Sequence, residues 1–115
     1  MTARKLDIEI EQGATFAMIL TYLNNSGSPV DLTGYDAHMQ VRDAVGGKVF
    51  LSTSVASGHI VLTALGEIRV TISAFETANT KAVRGLYDLF LKSPGGEPTV
   101  KLLLGIATIT ASVTR

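Results

Sequence analysis

The dominant signal in the sequence is an alternation of apolar and polar residues that recurs in short segments. Leu6, Ile8 and Ile10 alternate with acidic residues, and this period of two predicts a half-buried β-strand. The same pattern returns over 35–42, 67–72 and 84–92. It predicts that the inward residues there are Ala37, Met39, Val41, Ile68, Val70, Ile72, Tyr87, Leu89 and Leu91.

The segment 15–23 departs from this alternation because both of its faces are apolar. Phe16, Met18 and Leu20 share one face, while the other face carries Ala17 and Ile19. Apolar residues on both faces are typical of a strand that is covered on both sides. We therefore expect this strand to be buried between two layers or covered by a partner.

Turn and cap residues separate the predicted strands. Gly46-Gly47, 64–66 and 93–98 each predict a hairpin connection. Ser73 followed by Glu76 matches a capping box, which predicts one short helical turn near 73–81. In the last predicted strand, 99–111, Gly105 indicates a bulge or a close approach of another backbone segment.

Short strands at regular spacing, with hairpin turns and almost no helix, predict an all-β fold. We expect a single domain over 1–115, since this length suits one hydrophobic core. The architecture that fits best is an immunoglobulin-like antiparallel β-sandwich of about seven to eight strands. A small β-barrel is the competing architecture.

The composition favours a subunit that has neighbours. Charged residues make up 17% of the chain, below the roughly 25% of an ordinary globular domain. Ten basic and ten acidic residues cancel, which predicts no nucleic-acid or membrane partner and allows association without repulsion.

No apolar stretch approaches the roughly 20 residues of a membrane span, and nothing resembles a secretory signal. We expect a soluble protein that is made in the cytoplasm.

The search for reactive groups predicts a protein without catalytic, cofactor-binding or metal-binding residues. Cysteine is absent, and His38 and His59 have no carboxylate or second histidine at ligand spacing. The alternating acids Asp7, Glu9 and Glu11 lie about 7 Å apart along one strand, as a solvated face would place them. No nucleophile-elbow or phosphate-loop motif occurs. The sequence therefore predicts that the protein is not an enzyme and needs no cofactor.

Several apolar residues are instead candidates for contact with other proteins. Phe90 shares a strand face with Asp88 and Lys92, so it is either a subunit contact or the cover of a loop. The first strand, 6–11, and the last, 99–111, are predicted to be open sheet edges that a neighbour extends. The predicted interface residues are Leu6, Ile8, Ile19, Leu23, Phe90 and Leu103.

The order of motifs along the chain resembles a family of small phage virion proteins with an immunoglobulin-like domain. It is also similar to the N-terminal module of phage baseplate upper proteins and tail-fibre adaptors. The matching segments are 10–16 (IEQGATF), 29–35 (PVDLTGY), 39–42 (MQVR), 66–68 (GEI), 73–78 (SAFETA), 87–89 (YDL) and 113–115 (VTR).

The resemblance implies a structural protein of a phage tail or baseplate, located in the virion and made in the host cytoplasm. Its partners would be tail, baseplate or fibre subunits and further copies of itself. A capsid decoration (cement) protein on the phage head is the alternative. A carbohydrate-binding module fits less well because the chain has no Trp.

Overall fold

A computed structural model describes residues 4–44, 46–96 and 99–112. Val45, Glu97, Pro98 and the C-terminal motif at 113–115 lie outside the described residues. The elements are β1 (Arg4–Lys5), β2 (Ile8–Glu11), β3 (Phe16–Thr21), β4 (Asp36–Arg42), β5 (Val49–Ser54), β6 (Ile60–Leu62), β7 (Glu67–Ile72), α1 (Ala74–Ala78), β8 (Val83–Lys92) and β9 (Thr99–Thr110).

The strands form two packed sheets, so the sandwich is confirmed and the barrel is not. The larger sheet has the order β1-β9-β8-β4-β5, with β2 also pairing with β9, and the smaller sheet has the order β3-β7-β6. The first predicted strand, 6–11, forms only over Ile8–Glu11 as β2, and a separate short strand, β1, precedes it. Both run parallel to β9, which corrects the expectation of a purely antiparallel sandwich.

The core lies between the two sheets and contains the residues that the alternation predicted. Met39, Val70 and Leu89 are each at most 1% exposed, because every second residue of a strand points to the same face. β3 is not buried between two layers of the chain, and its coverage by a partner stays a prediction. Its inward residue Met18 is only half-buried, and its outward residue Ile19 is 62% exposed.

The N-terminal strands are joined to β9 at a junction that depends on a glycine. A Cβ atom at Gly105 would lie only 2.2 Å from the Leu6 carbonyl oxygen, so a side chain there would collide with backbone. The Tyr87 hydroxyl donates a hydrogen bond to that carbonyl, and Asp7 accepts one from the Ile106 N–H at 3.0 Å. The close approach predicted at Gly105 is confirmed.

The last strand is not a sheet edge, contrary to the prediction. β9 lies between β8 on one side and β1 with β2 on the other, and the second side is paired at Leu103, at Leu104 and from Ala107 to Thr110. Leu103 on β9 is 3% exposed and belongs to the core. It is therefore unavailable as an interface residue.

The short helix begins as the capping box predicts. The Ser73 side chain accepts a hydrogen bond from the Glu76 N–H, and the Glu76 side chain accepts one from the Ser73 N–H. The helix ends at Ala78, earlier than the predicted limit of 81. Thr77, which is fully buried, connects the helix to the start of β3 by donating to the Ala14 carbonyl at 2.8 Å.

Candidate functional site

The outward side chains of β4, β8 and β9 form an ordered grid on the larger sheet. Side chains of neighbouring strands that lie directly opposite one another form its rows. The rows are His38–Phe90–Lys101, Gln40–Asp88–Leu104 and Arg42–Leu86–Ile106. Most of these residues line a shallow depression of about 370 Å³, which we call the groove.

The first row holds an aromatic side chain between two neighbours. The His38 ring stacks on Phe90 with 5.5 Å between ring centroids and 16° between planes. On the other side, the Lys101 ammonium lies 5.4 Å from the Phe90 centroid, within the range of a cation–π contact. Phe90 is therefore half-buried and held in one place, which reduces the conformational entropy that it loses on binding a partner.

A local irregularity in the β8–β9 pairing places Lys101 in this row. Leu89 pairs with Leu103, but Phe90 pairs with Lys101, so Leu102 has no direct partner on β8. This extra residue has the effect of a β-bulge, which changes where neighbouring side chains point. The long ammonium side chain consequently reaches the Phe90 ring.

The third row contains a guanidinium group without a carboxylate partner among the described residues. Arg42 donates to the Gly47 carbonyl at 2.8 Å and to the Gln40 side-chain oxygen at 2.9 Å, both of which are neutral acceptors. Asp88, in the middle row, lies 3.9 Å from the Lys101 ammonium in an exposed ion pair. The groove therefore retains positive charge at Arg42 that a partner's carboxylate would neutralise.

Exposed aliphatic side chains lie beside these polar groups. Leu86 is 42% exposed and Leu104 is 37% exposed. A half-buried aromatic residue, aliphatic neighbours and fixed polar groups are typical of a protein–protein interface. Among the described residues that line the groove, no nucleophile lies next to a base.

A second cluster joins β6 to α1 and was missed in the sequence. The Nε2 atom of His59 contacts the Glu76 carboxylate, and its Nδ1 atom lies 2.7 Å from the Ser57 hydroxyl. The hydrogen bond to His59, and then the one to Ser73, lowers the pKa of Glu76 below its usual range. The Ser57 hydroxyl also bonds the backbone N–H and carbonyl of Ser54, so it is engaged in a turn. We interpret this cluster as a connection that holds the helix.

The predicted interface residues lie on different surfaces. Phe90 lies in the groove, whereas Ile19, 62% exposed, and Leu23, 44% exposed, belong to the smaller sheet and its end. Leu6, 38% exposed, lies at the junction beside Gly105, and Ile8 is half-buried at the edge of the larger sheet. The structure thus brings none of the others to Phe90.

Most of the groove residues were not identified from the sequence. His38, Gln40 and Arg42 occupy the outward positions of β4, which the alternation assigns correctly, but their neighbours on β8 and β9 depend on pairing between distant strands. The signal that was available was Phe90 itself, an aromatic residue at an outward position next to Asp88.

Two further features are absent from 4–44, 46–96 and 99–112. No group of three or more His, Asp or Glu side chains is arranged to hold a metal ion in these ranges. The same part of the chain contains no helix with the length and hydropathy that crossing a bilayer requires.

Comparisons with known proteins identify the fold. No protein-family model matches the sequence, and no curated protein matches it. Among solved structures, the chain is similar to the extracellular domain of the voltage-gated sodium channel β4 subunit, with 10% identity, a TM-score of 0.51, and coverage of 98% of this chain and 97% of that one. That domain forms parallel homodimers that are linked to cell–cell adhesion.

A second similar structure is Tim-1, with 13% identity, a TM-score of 0.52, and coverage of 99% of each chain. Identities this low support a shared fold and carry no function with them. The order and pairing of the strands and these two similarities show an immunoglobulin-like β-sandwich.

Proposed function

We propose that this protein is a non-catalytic structural protein of a phage tail or baseplate, present in several copies and docking neighbouring subunits through the groove. Two things support the proposal: the ordered motifs that resemble small virion proteins and baseplate modules, and the Phe90 side chain held between His38 and Lys101. The held aromatic ring is the observation that carries the docking role.

The chemistry of the groove defines the kind of partner that it fits. A neighbouring subunit would cover Leu86 and Leu104 with apolar side chains and present a carboxylate to Arg42. Burying the aliphatic surface provides affinity, and the charged pair fixes the orientation of the partner. Repetition of this contact around a symmetric ring would add many moderate interactions together.

The experiment compares two phenylalanines in assembling particles. Virions are grown with the gene supplied in trans as wild type, Phe90→Ala or Phe75→Ala, and the amount of this protein in purified particles is measured. Phe75 is 78% exposed on α1, outside the groove, and serves as the matched control. Removal of a central aromatic contact is expected to reduce incorporation about tenfold or more for Phe90→Ala, and Phe75→Ala should behave as wild type.

Immunogold labelling of the same particles distinguishes the locations. Label at the tail or baseplate supports the proposal, whereas label distributed over the capsid would favour the decoration protein. Absence of the protein from purified particles would reject both. Equal incorporation of the two variants would reject the groove as the docking surface.

A further inference from the structure

The free edge of β3 exposes unpaired backbone groups. In the described part of the chain β3 pairs only with β7, on one side. The Tyr22 N–H donates to the Gly66 carbonyl at 2.8 Å and continues the β3–β7 register, so even-numbered residues direct their backbone groups to β7. Ala17, Ile19 and Thr21 therefore present their N–H and C=O groups to the open side.

The other sheet edges carry features that oppose pairing with another chain. β1 consists of Arg4 and Lys5, and β2 carries Glu9 and Glu11. β6 has only three residues, and the pairing of β5 with β4 is irregular at Val41/Arg42. Charges, short length and irregular pairing are the means by which edge strands avoid edge-to-edge association.

β3 has none of these features. Its six residues, FAMILT, include no charged residue, no Pro and no Gly. Its inward side chains Phe16, Met18 and Leu20 are only half-buried, whereas Val70 and Ile72 on the adjacent β7 are completely buried. This side of the sandwich is incomplete because no strand of the described residues lies beyond β3.

We propose that β3 pairs antiparallel with β3 of a second copy of this chain, about a two-fold axis at Ile19. This register places Ile19 opposite Ile19 of the second copy and Ala17 opposite Thr21 of the second copy. In this register the three residues of each strand whose backbone groups face the open side all pair across the axis. They form about six interchain hydrogen bonds. The two three-stranded sheets become one continuous sheet of six strands.

A second copy fits this edge because the strand is complementary to itself. Antiparallel pairing places inward residues beside inward residues, so Met18 meets Leu20 of the second copy and the half-buried apolar row is covered. No charges of like sign meet along the strand, and the chain as a whole has no net charge. The two-fold axis gives a closed dimer.

The absence of cysteine from the sequence allows a direct test of the register. Ile19→Cys and Val61→Cys each introduce one thiol at an exposed aliphatic position, and both residues flank Arg69 in the same cross-strand row. Cα atoms in a directly hydrogen-bonded antiparallel pair lie about 5.5 Å apart, within disulfide range. Under mild oxidation, Ile19→Cys should lose nearly all of its monomer on a non-reducing gel, and Val61→Cys should remain monomeric.

Sedimentation of the unmodified protein and of lysine variants tests the association itself. The wild type should sediment as a dimer, Ile19→Lys as a monomer because two lysines would meet at the axis, and Val61→Lys as a dimer. Ala17→Pro removes an edge N–H that has no partner among the described residues, so it should also give a monomer. Circular dichroism checks that each variant is folded, and Ile19→Lys decides the test if Ala17→Pro does not fold.

Three results would overturn the inference: a monomeric wild type at high concentration, equal cross-linking of the two cysteine variants, or a dimer that survives Ile19→Lys. If the wild type is monomeric, the free edge of β3 would instead be available to a strand from a different protein. The inference does not rest on the proposed function. Phe90→Ala should leave the dimer intact, so failure of docking and failure of dimer formation are separate outcomes.

Discussion

The outer faces of the two sheets differ in the kind of surface that they present. On the larger sheet, stacking, cation–π and hydrogen-bond contacts hold Phe90, Lys101 and Arg42 in defined positions around the groove. On the smaller sheet, Ile19 and Val61 flank Arg69, which pairs with Glu67 at 2.6 Å in an exposed ion pair that contributes little.

This contrast follows from the number of strands in each sheet. A wide sheet has interior strands whose outward side chains support one another from both sides, and β8 is such a strand. In a three-stranded sheet two of the three strands are edges. A partner can therefore contact the backbone N–H and C=O groups of β3 as well as its side chains. The larger sheet is therefore suited to recognise side chains of a partner, and the smaller one to extend through hydrogen bonds.

The largest expected difference between the sheets is in how much each inward leucine stabilises the fold. Leu89→Ala removes a completely buried side chain from β8 and should lower the free energy of unfolding by about 3 kcal/mol. Leu20→Ala removes a half-buried side chain from β3 and should cost about 1 kcal/mol. Urea denaturation at low protein concentration measures both, and equal losses would contradict the view that β3 is an incomplete edge.

The next effect concerns the junction that attaches β1 and β2 to the larger sheet. Gly105→Ala places a methyl group against the Leu6 carbonyl and should lower the free energy of unfolding by about 2 kcal/mol. Gly95→Ala is the control, because a Cβ atom there meets nothing within 4 Å. Thermal unfolding and hydrogen exchange at β2 measure the change, and unaltered exchange at β2 would show that the junction does not hold these strands.

The smallest expected effect is a pH dependence at the end of the smaller sheet. Because hydrogen bonds lower the pKa of Glu76 in the folded state, its stabilising contribution is present above the ordinary value of 4.5 and is lost as pH falls through the lowered pKa. The melting temperature of Glu76→Gln should therefore lie below that of wild type at pH 7, and the gap should close toward pH 3. Glu9→Gln, on the exposed side of β2, serves as the control, and a gap that stays constant with pH would exclude the mechanism.

The sequence predicted the parts of the fold that depend on neighbouring residues. A strand with one buried face must alternate, so Ala37, Met39 and Val41 could be assigned to the core from their spacing alone. The capping box at Ser73 is likewise contained in four consecutive residues. The two-sheet architecture followed from the number and spacing of such segments.

What could not be predicted depends on pairing between distant segments. Leu103 was assigned to an interface because the last strand was expected to be an edge, but β1 and β2 cover its open side. The shift that places Lys101 beside Phe90 leaves no signal in the sequence of β9. His59 and Glu76 lie 17 positions apart and meet only because the β6–β7 hairpin returns the chain to α1.

The parallel pairing of β2 with β9 has a mechanical consequence. A load that pulls residues preceding Ile8 away from residues following Thr110 acts along both strands in opposite directions, so the hydrogen bonds between Ile8–Glu11 and Ala107–Thr110 are sheared together. An antiparallel pair loaded in this way at one end would open one bond at a time. Tension applied between these two ends would therefore be resisted by all the hydrogen bonds of the β2–β9 pairing at once.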